Sequence, residues 1–193
     1  MTTGSTAAHA PSPSASWVLL PLAWCVWLLA FLVPSLLVAP HLSTLRPWLT
    51  ADTAPTAVVA AAAFFLTAVW PFWPALAGSS AHGQAARWIG RTLLELVILA
   101  ALAAPFAVVA WSVGGQRFDV GRLALAGATA VIPGVAFRLV AGVVGPERLR
   151  WVVLAAMLLA AAPLLVAYAA RETLGADWSW ILRISPVYAA IAT

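Results

Sequence analysis

Charged residues are rare in this chain, and four of them stand where they could act together. Arg87, Arg91 and Glu95 follow one another at intervals of four residues, so on a helix they share one face. They lie at the start of a long apolar segment. Because this helix face carries charges of both signs, its side chains can form an ion pair. Arg138 is a further arginine well inside another apolar segment, where a charge is costly. Arg87, Arg91, Glu95 and Arg138 are therefore the candidate functional or coupling residues.

The sequence leaves two interpretations open for each of the deeper charges. Arg138 either faces a cavity or a carboxylate partner, or lies close enough to a helix end to extend its guanidinium to the headgroups. Glu95 either pairs locally with Arg91, or points into a helix bundle where Arg138 could meet it. The second pairing is feasible because antiparallel helices would bring Glu95 and Arg138 near the same membrane face.

Other chemistry has little support in the sequence. It contains no HExxH, CxxC, Walker or GxSxG motif. The three histidines, His9, His41 and His82, are far apart and have no second ligand at metal-binding spacing. Ser79, Ser80 and His82 share one short loop, which is typical of a polar turn and not of a nucleophile and base on separate helices. We therefore expect no enzyme activity, no metal and no cofactor.

Composition decides the class of protein. The chain of 193 residues is 64% hydrophobic and 8% charged, whereas soluble domains are about 25% charged. A soluble fold of this size cannot bury so much apolar surface, so most of the chain must face lipid. The net charge of +4 is spread over loops without a basic run, which excludes a nucleic-acid partner. The single Cys25 is expected to be a small buried hydrophobic residue.

Apolar segments separated by short polar turns predict an all-α, polytopic transmembrane helix bundle. Residues 1–16 are predicted to be a disordered tail, and 17–193 a single transmembrane domain. Trp178–Thr193 is apolar but interrupted by Arg183 and Pro186, and at ~1.5 Å per residue it is too short for a ~30 Å core. It is expected to be a short or truncated sixth span. The five full spans are predicted at 17–39, 56–77, 91–113, 121–143 and 151–170.

Details within the spans carry further expectations. The second span ends in WPFWPALAG, which predicts a helix that breaks up in the headgroup region. On the fourth span a four-residue step runs from Arg122 to Arg138, with small residues between them that suit close helix packing. The small residues between Arg122 and Arg138 on this face are Ala126, Ala130 and Gly134. The loops on the two sides of the membrane carry equal numbers of arginines, so the positive-inside rule does not fix the orientation.

Two segments resemble the membrane subunit of ABC-2-type exporters. In that family the span after the coupling segment begins with an apolar residue, Gly and a basic residue before a leucine-rich stretch; here this is IGRTLL at 89–94. A Ser-Pro motif after the fifth span opens the last hairpin, and here it is Ser185-Pro186 within WILRISPVY at 180–188. The chain departs from the family in its uncharged N-terminal tail, its short 78–86 connection and its incomplete last span. The resemblance covers about residues 56–193.

The resemblance implies a permease-type subunit in the cell (inner) membrane, with the N-terminus inside. Such a subunit works as a homodimer with a separate ABC ATPase that supplies the energy. Residues 78–90 would lie in the cytoplasm and contact the ATPase. Arg87 and Arg91 would stand at the surface of the lipid bilayer, and the incomplete last span would make the chain a truncated or degenerate member.

A second hypothesis needs no partner ATPase. A small polytopic scaffold or assembly protein without transport activity would show the same composition and the same number of spans. An intramembrane enzyme is disfavoured, because no nucleophile and base lie together within the spans.

Overall fold

The computed structural model describes residues 13–42, 53–76, 85–114, 120–144, 146–174, 179–182 and 184–192. Within these ranges all regular structure is helical, which confirms the all-α class. A π-helical turn, Phe65–Val69, and a 3-10 turn, Trp70–Phe72, join helix Thr53–Phe64 (α2) to helix Trp73–Leu76 (α3). Thr53–Leu76 therefore forms one continuous segment, called here the α2–α3 segment. The α-helices are α1 (Pro13–Leu42), α2 (Thr53–Phe64), α3 (Trp73–Leu76), α4 (Ala85–Gly114), α5 (Val120–Val143), α6 (Pro146–Leu174), α7 (Ser179–Leu182) and α8 (Pro186–Ala192).

Five of the helical segments are long and apolar enough to cross a membrane, which confirms the predicted number of full spans. The chain is therefore a multi-pass membrane protein. The helix of the first span begins at Pro13, a few residues before the predicted boundary of the tail, because proline is compatible with the first turn of a helix. The rest of the predicted tail lies outside the described residues. The five apolar spans are Val18–Leu37, Ala54–Ala75, Trp88–Val113, Leu123–Val143 and Glu147–Ala170.

Short connections make successive spans antiparallel, which gives the bundle two ends. End A is defined here as the end where the α2–α3 segment and α5 finish and where α4 and α6 begin. End B holds the start of α2, the end of α4, the start of α5 and the end of α6. The connection 77–84 belongs to end A, which also carries the first turns of α4, including Arg91 and Glu95.

Labelling of single cysteines tests this arrangement. In a Cys25→Ser background, Ala86→Cys and Glu147→Cys are expected to react with a membrane-impermeant maleimide from the same side of the membrane. Val120→Cys, at the start of α5, is expected to react from the other side. Labelling of positions 86 and 147 from opposite sides would contradict the described order of spans.

The α2–α3 segment forms the centre of the bundle. In its apolar window 56% of the residues are buried, against 22% in each of the other four spans. It packs against α1, α4, α5 and α8, and its π-helical turn also meets α6. The other spans expose large apolar side chains outwards, as a bundle in lipid requires. The α2–α3 segment is thus surrounded by protein along much of its length.

Indole groups satisfy their polar atoms inside this apolar bundle. Trp24 on α1 donates its Nε1–H to the Leu99 carbonyl oxygen of α4, at 2.9 Å. Trp27 donates to the Ala61 carbonyl oxygen of α2, also at 2.9 Å. Because lipid offers no hydrogen-bond partner, these bonds favour one arrangement of α1 against α2 and α4.

The C-terminal segment does not form a sixth full span within the described residues. α8 has 7 residues, about 10 Å of helix, and it packs against α2 and α5 with Val187 and Ala190 buried. Ser185 precedes it: the Ser185 hydroxyl donates to the Ala160 carbonyl oxygen at 2.9 Å and lies 3.4 Å from the Tyr188 amide nitrogen. Ser-Pro here is the start of a helix, with serine as the N-cap and proline as the first helical residue.

Candidate functional site: a buried ion network

Glu95 lies on the buried face of α4. The side chains that point inwards recur at helical spacing, and Glu95 occupies a position that an apolar residue would otherwise fill. Its side chain is only 2% exposed. It stands about 10 Å along the helix from Trp88, within the apolar span and towards end A. The other buried members of this face are Thr92, Leu99, Ala107 and Ala110.

Three donors converge on the Glu95 carboxylate. Arg91, one turn earlier on α4, donates its Nε–H to Oε1 at 2.9 Å. Arg138 of α5 donates from Nη1 to Oε2 at 2.6 Å. Trp70, from the 3-10 turn, donates its indole N–H to the same Oε2 at 3.0 Å. Hydrogen bonds in which both groups are charged are short and strong, so the carboxylate is held by three segments of the chain. Arg91, Glu95, Arg138 and Trp70 are called here the Glu95 network.

Arg138 is held inside the bundle by two kinds of contact. Its side chain is 3% exposed, and its guanidinium carbon lies 4.8 Å from the centroid of the Trp70 ring. That distance allows a cation–π interaction, which is strongest away from water. The interpretation that Arg138 extends to the headgroups is therefore wrong, and the alternative of a carboxylate partner is confirmed. Both interpretations of Glu95 hold, because its carboxylate binds Arg91 on the same helix and Arg138 inside the bundle.

The irregular turns between α2 and α3 place Trp70 in this network. The Trp70 amide donates to the Phe65 carbonyl oxygen, five residues back, which widens the helix. Pro71 has no amide hydrogen, so a regular α-helix would lose a bond at this point. The following 3-10 turn closes on the Trp70 carbonyl, which accepts from Trp73. The regular α-helix thus gives way to π-helical and 3-10 turns around these prolines, as predicted for WPFWPALAG, although the segment stays helical as far as Leu76. Trp70 is 0% exposed and packs inside the bundle. The position of this stretch in the headgroup region stays a prediction.

A glycine lets α5 reach the π-helical turn. A Cβ atom at Gly134 would overlap the carbonyl oxygen of Leu66. Thr67, which is fully buried, places its hydroxyl 3.5 Å from the Ala130 carbonyl oxygen. Ala126 and Ala130 are buried as well, which confirms the predicted small-residue packing face of the fourth span. Because Arg138 lies one turn beyond Gly134, this close approach also brings Arg138 to Trp70.

The structure brings together three of the four predicted site residues. Arg91, Glu95 and Arg138 are in contact, and Arg91 remains 28% exposed at the edge of the network. Arg87 lies in the first turn of α4, and its side chain is outside the described residues. Ser79, Ser80 and His82 are also outside them. Among the described residues, no group of three or more His, Cys, Asp or Glu side chains could hold a metal ion.

Sequence reasoning missed Trp70 as a member of the site. Tryptophan is common where a span meets the headgroups, and the two prolines that follow Trp70, Pro71 and Pro74, favoured that assignment. The signal that could have found it is the pair of a buried carboxylate and an aromatic residue at matching depth on adjacent antiparallel spans. That signal needs the packing of the two helices, which the spacing of residues does not supply.

The chemistry of the network is that of a link between spans. The carboxylate accepts hydrogen bonds on both oxygens, so it is already engaged by its own chain. Since one partner lies on α5 and another on the α2–α3 segment, the network ties three spans together near end A. No protein-family model, curated protein or solved structure matches this chain.

Proposed function

We propose that this multi-pass membrane protein is a permease-type subunit of an exporter, working as a dimer in the cell (inner) membrane with an ATPase on a separate chain. The observation that supports this most is the Glu95 network. Charged groups within a span raise the cost of insertion by about 2.5–3.5 kcal/mol each on translocon scales. A bundle that only had to insert and stay assembled would gain more from apolar side chains at these positions.

The position of the network suits coupling to a partner at end A. The connection 77–84 joins the end of α3 to the start of α4, and each of these segments leads directly to a residue of the network. A partner that moved this connection would act on Trp70 from one side and on Glu95 from the other. Arg138 would pass the movement to α5, because it is bound to both residues.

In this proposal the energy comes from a separate chain. The sequence contains no Walker loop, the element that cradles ATP phosphates in such ATPases. ATP would be bound by a separate chain, and this chain would supply the membrane path and the contact surface. The resemblance of residues 89–94 and 180–188 to ABC-2-type membrane subunits supports the same division of roles.

Co-purification tests the proposal. The chain, expressed together with its genomic neighbours and isolated in mild detergent, is expected to bring down an ATP-binding chain. Arg87→Glu is expected to reduce that association by about tenfold, because it reverses a charge in the first turn of α4, directly after the 77–84 connection. Arg91 is a poorer choice for substitution, since a carboxylate there would face Glu95 and disturb the network itself.

Arg150→Glu is the matched control for that experiment. Arg150 is exposed at the same end of the bundle, on α6, with its guanidinium carbon 5.6 Å from the centroid of the Trp151 ring. It lies on α6, which is not one of the two helices that the 77–84 connection joins, so its reversal is expected to leave the association unchanged. If the wild-type chain brought down no ATP-binding chain at all, the exporter proposal would fail and the scaffold hypothesis would replace it.

A further inference from the structure

The turn before α8 lies deep inside the bundle, away from both of its ends. The Ser185 hydroxyl donates to the Ala160 carbonyl oxygen at 2.9 Å. Ala160 is the central residue of α6, the helix Pro146–Leu174, which runs from end A to end B. Ser185 is 0% exposed. The chain therefore lies near the middle of the membrane at Ser185, although α6 finishes at end B.

The packing of α8 indicates the direction in which the chain leaves this point. α8 packs mainly against α2 and α5, and more lightly against α6. In the α2–α3 segment, α2 is the half nearer end B, and the π-helical turn Phe65–Val69 begins the half nearer end A. A helix of about 10 Å that ran from the middle towards end A would lie beside that turn and Trp70. Packing against α2 instead directs α8 towards end B.

The chain also enters from end B, because α6 finishes there and α7 packs against α6. We propose that α7 and α8 form a re-entrant hairpin, which enters the membrane from end B, reverses at Ser185-Pro186 and returns to end B. The Ser185 hydroxyl anchors the tip of this hairpin to α6. On its return α8 fills the space between α2, α5 and α6 in the half of the bundle nearer end B.

The backbone of the reversal is adapted to a position away from water. The Ser185 amide donates to the Leu182 carbonyl oxygen at 3.0 Å, and the Ser185 carbonyl oxygen accepts from the Ala189 amide at 2.9 Å. Pro186 has no amide hydrogen that needs an acceptor. The Tyr188 amide nitrogen lies 3.4 Å from the Ser185 hydroxyl oxygen. Irregular backbone inside a membrane is tolerated where the protein itself supplies such bonds.

The side chains of the hairpin divide between lipid and protein. Trp180 and Ile184 are exposed on its outer side, whereas Val187 and Ala190 are buried against the bundle. In lipid, apolar contact between helices has little advantage over contact with acyl chains. A hydrogen bond at the tip therefore contributes strongly to holding the hairpin in place. This inference does not depend on the exporter proposal, since an assembly protein could contain the same hairpin.

Distances between spin labels in the purified full-length chain test the path of the hairpin. In a Cys25→Ser background, one variant pairs Ala192→Cys with Val120→Cys at end B, and the other pairs Ala192→Cys with Glu147→Cys at end A. From the lengths of α5, α6 and α8, the distance to position 120 is expected to be shorter by roughly 15 Å or more. The reverse order would mean that α8 runs to end A, and equal distances would mean that it lies in the membrane plane. Either result would overturn the re-entrant path.

Ser185→Ala tests the anchor at the tip. Without the hydroxyl, the hairpin is expected to leave its place about fivefold more often, the ratio that corresponds to about 1 kcal/mol for one hydrogen bond. Hydrogen exchange of the amides of α8, followed by mass spectrometry in detergent, should accelerate by the same factor. Ser112→Ala is the matched control, because its hydroxyl bonds the Val109 carbonyl oxygen of its own helix at 2.8 Å. Its α8 amides should exchange as in the wild type.

Equal exchange of α8 in Ser185→Ala and in the wild type would overturn the role of Ser185 as the anchor. Neither the label distances nor the exchange rates involve an ATPase. Failure of the re-entrant hairpin is therefore distinguishable from failure of the exporter proposal, which rests on co-purification.

Discussion

Replacing Glu95 with alanine is expected to lower the free energy of unfolding of this protein by about 3–5 kcal/mol, the usual cost of removing one partner of a buried ion pair. The substitution leaves the Arg138 guanidinium enclosed in the bundle without its carboxylate. It also removes the acceptor of the Trp70 indole N–H. The Arg138 guanidinium and the Trp70 indole N–H remain buried away from water, but the hydrogen bonds to Glu95 that offset the cost of that burial are lost.

The measurement is the melting temperature of the purified chain in mild detergent, where a loss of this size corresponds to roughly 10 °C. Arg91→Ala is the matched control, because it removes the other arginine that binds the same carboxylate. Arg91 is 28% exposed, so water replaces part of its contact, and the expected loss is about 1 kcal/mol or less.

The double variant Glu95→Ala/Arg138→Met separates charge from shape. Methionine fills much of the space of the arginine stem without leaving a charge behind. If the cost of Glu95→Ala comes from the stranded guanidinium, the double variant should be more stable than the single one. A single Glu95→Ala variant that lost no more stability than Arg91→Ala would contradict the central place given to this carboxylate.

The number and positions of the spans could be predicted because one physical rule determines them. A stretch of about 20 apolar residues is needed to cross the hydrocarbon core, and the polar turns between the stretches are visible in the sequence. Which span forms the centre does not follow from that rule. The α2–α3 segment is little different in composition from its neighbours, and only packing shows that it is the one they surround.

Half of the candidate site followed from spacing and the rest required the fold. Arg91 and Glu95 are four residues apart, so their contact is a property of one helix. The contact of Glu95 with Arg138 needs two helices at matching depth, and the sequence could only offer it as one of two alternatives. Trp70 needs in addition the π-helical and 3-10 turns, whose effect on the direction of a side chain cannot be deduced from the presence of Pro71.

Replacing Gly134 with alanine is expected to destabilise the protein by about 3 kcal/mol, near the upper part of the usual range for overpacking. The added methyl group would overlap the carbonyl oxygen of Leu66. That oxygen belongs to the backbone of the central segment, so no side chain can rotate to make room, and α5 must move away as a body. Gly127→Ala is the matched control on the same helix, because its Cβ would meet nothing within 4 Å.

In the control, alanine should be neutral or stabilise the helix by up to about 1 kcal/mol, and the melting temperatures of the two variants in detergent should separate accordingly. Equal values would mean that α5 does not approach the π-helical turn closely. The same movement of α5 would draw Arg138, one turn from Gly134, away from Glu95. Gly134→Ala should therefore cost less in a Glu95→Ala background, where that ion pair is already lost. Strictly additive losses would show that the helix contact and the ion pair are independent, and that the close packing at Gly134 does not serve to position Arg138.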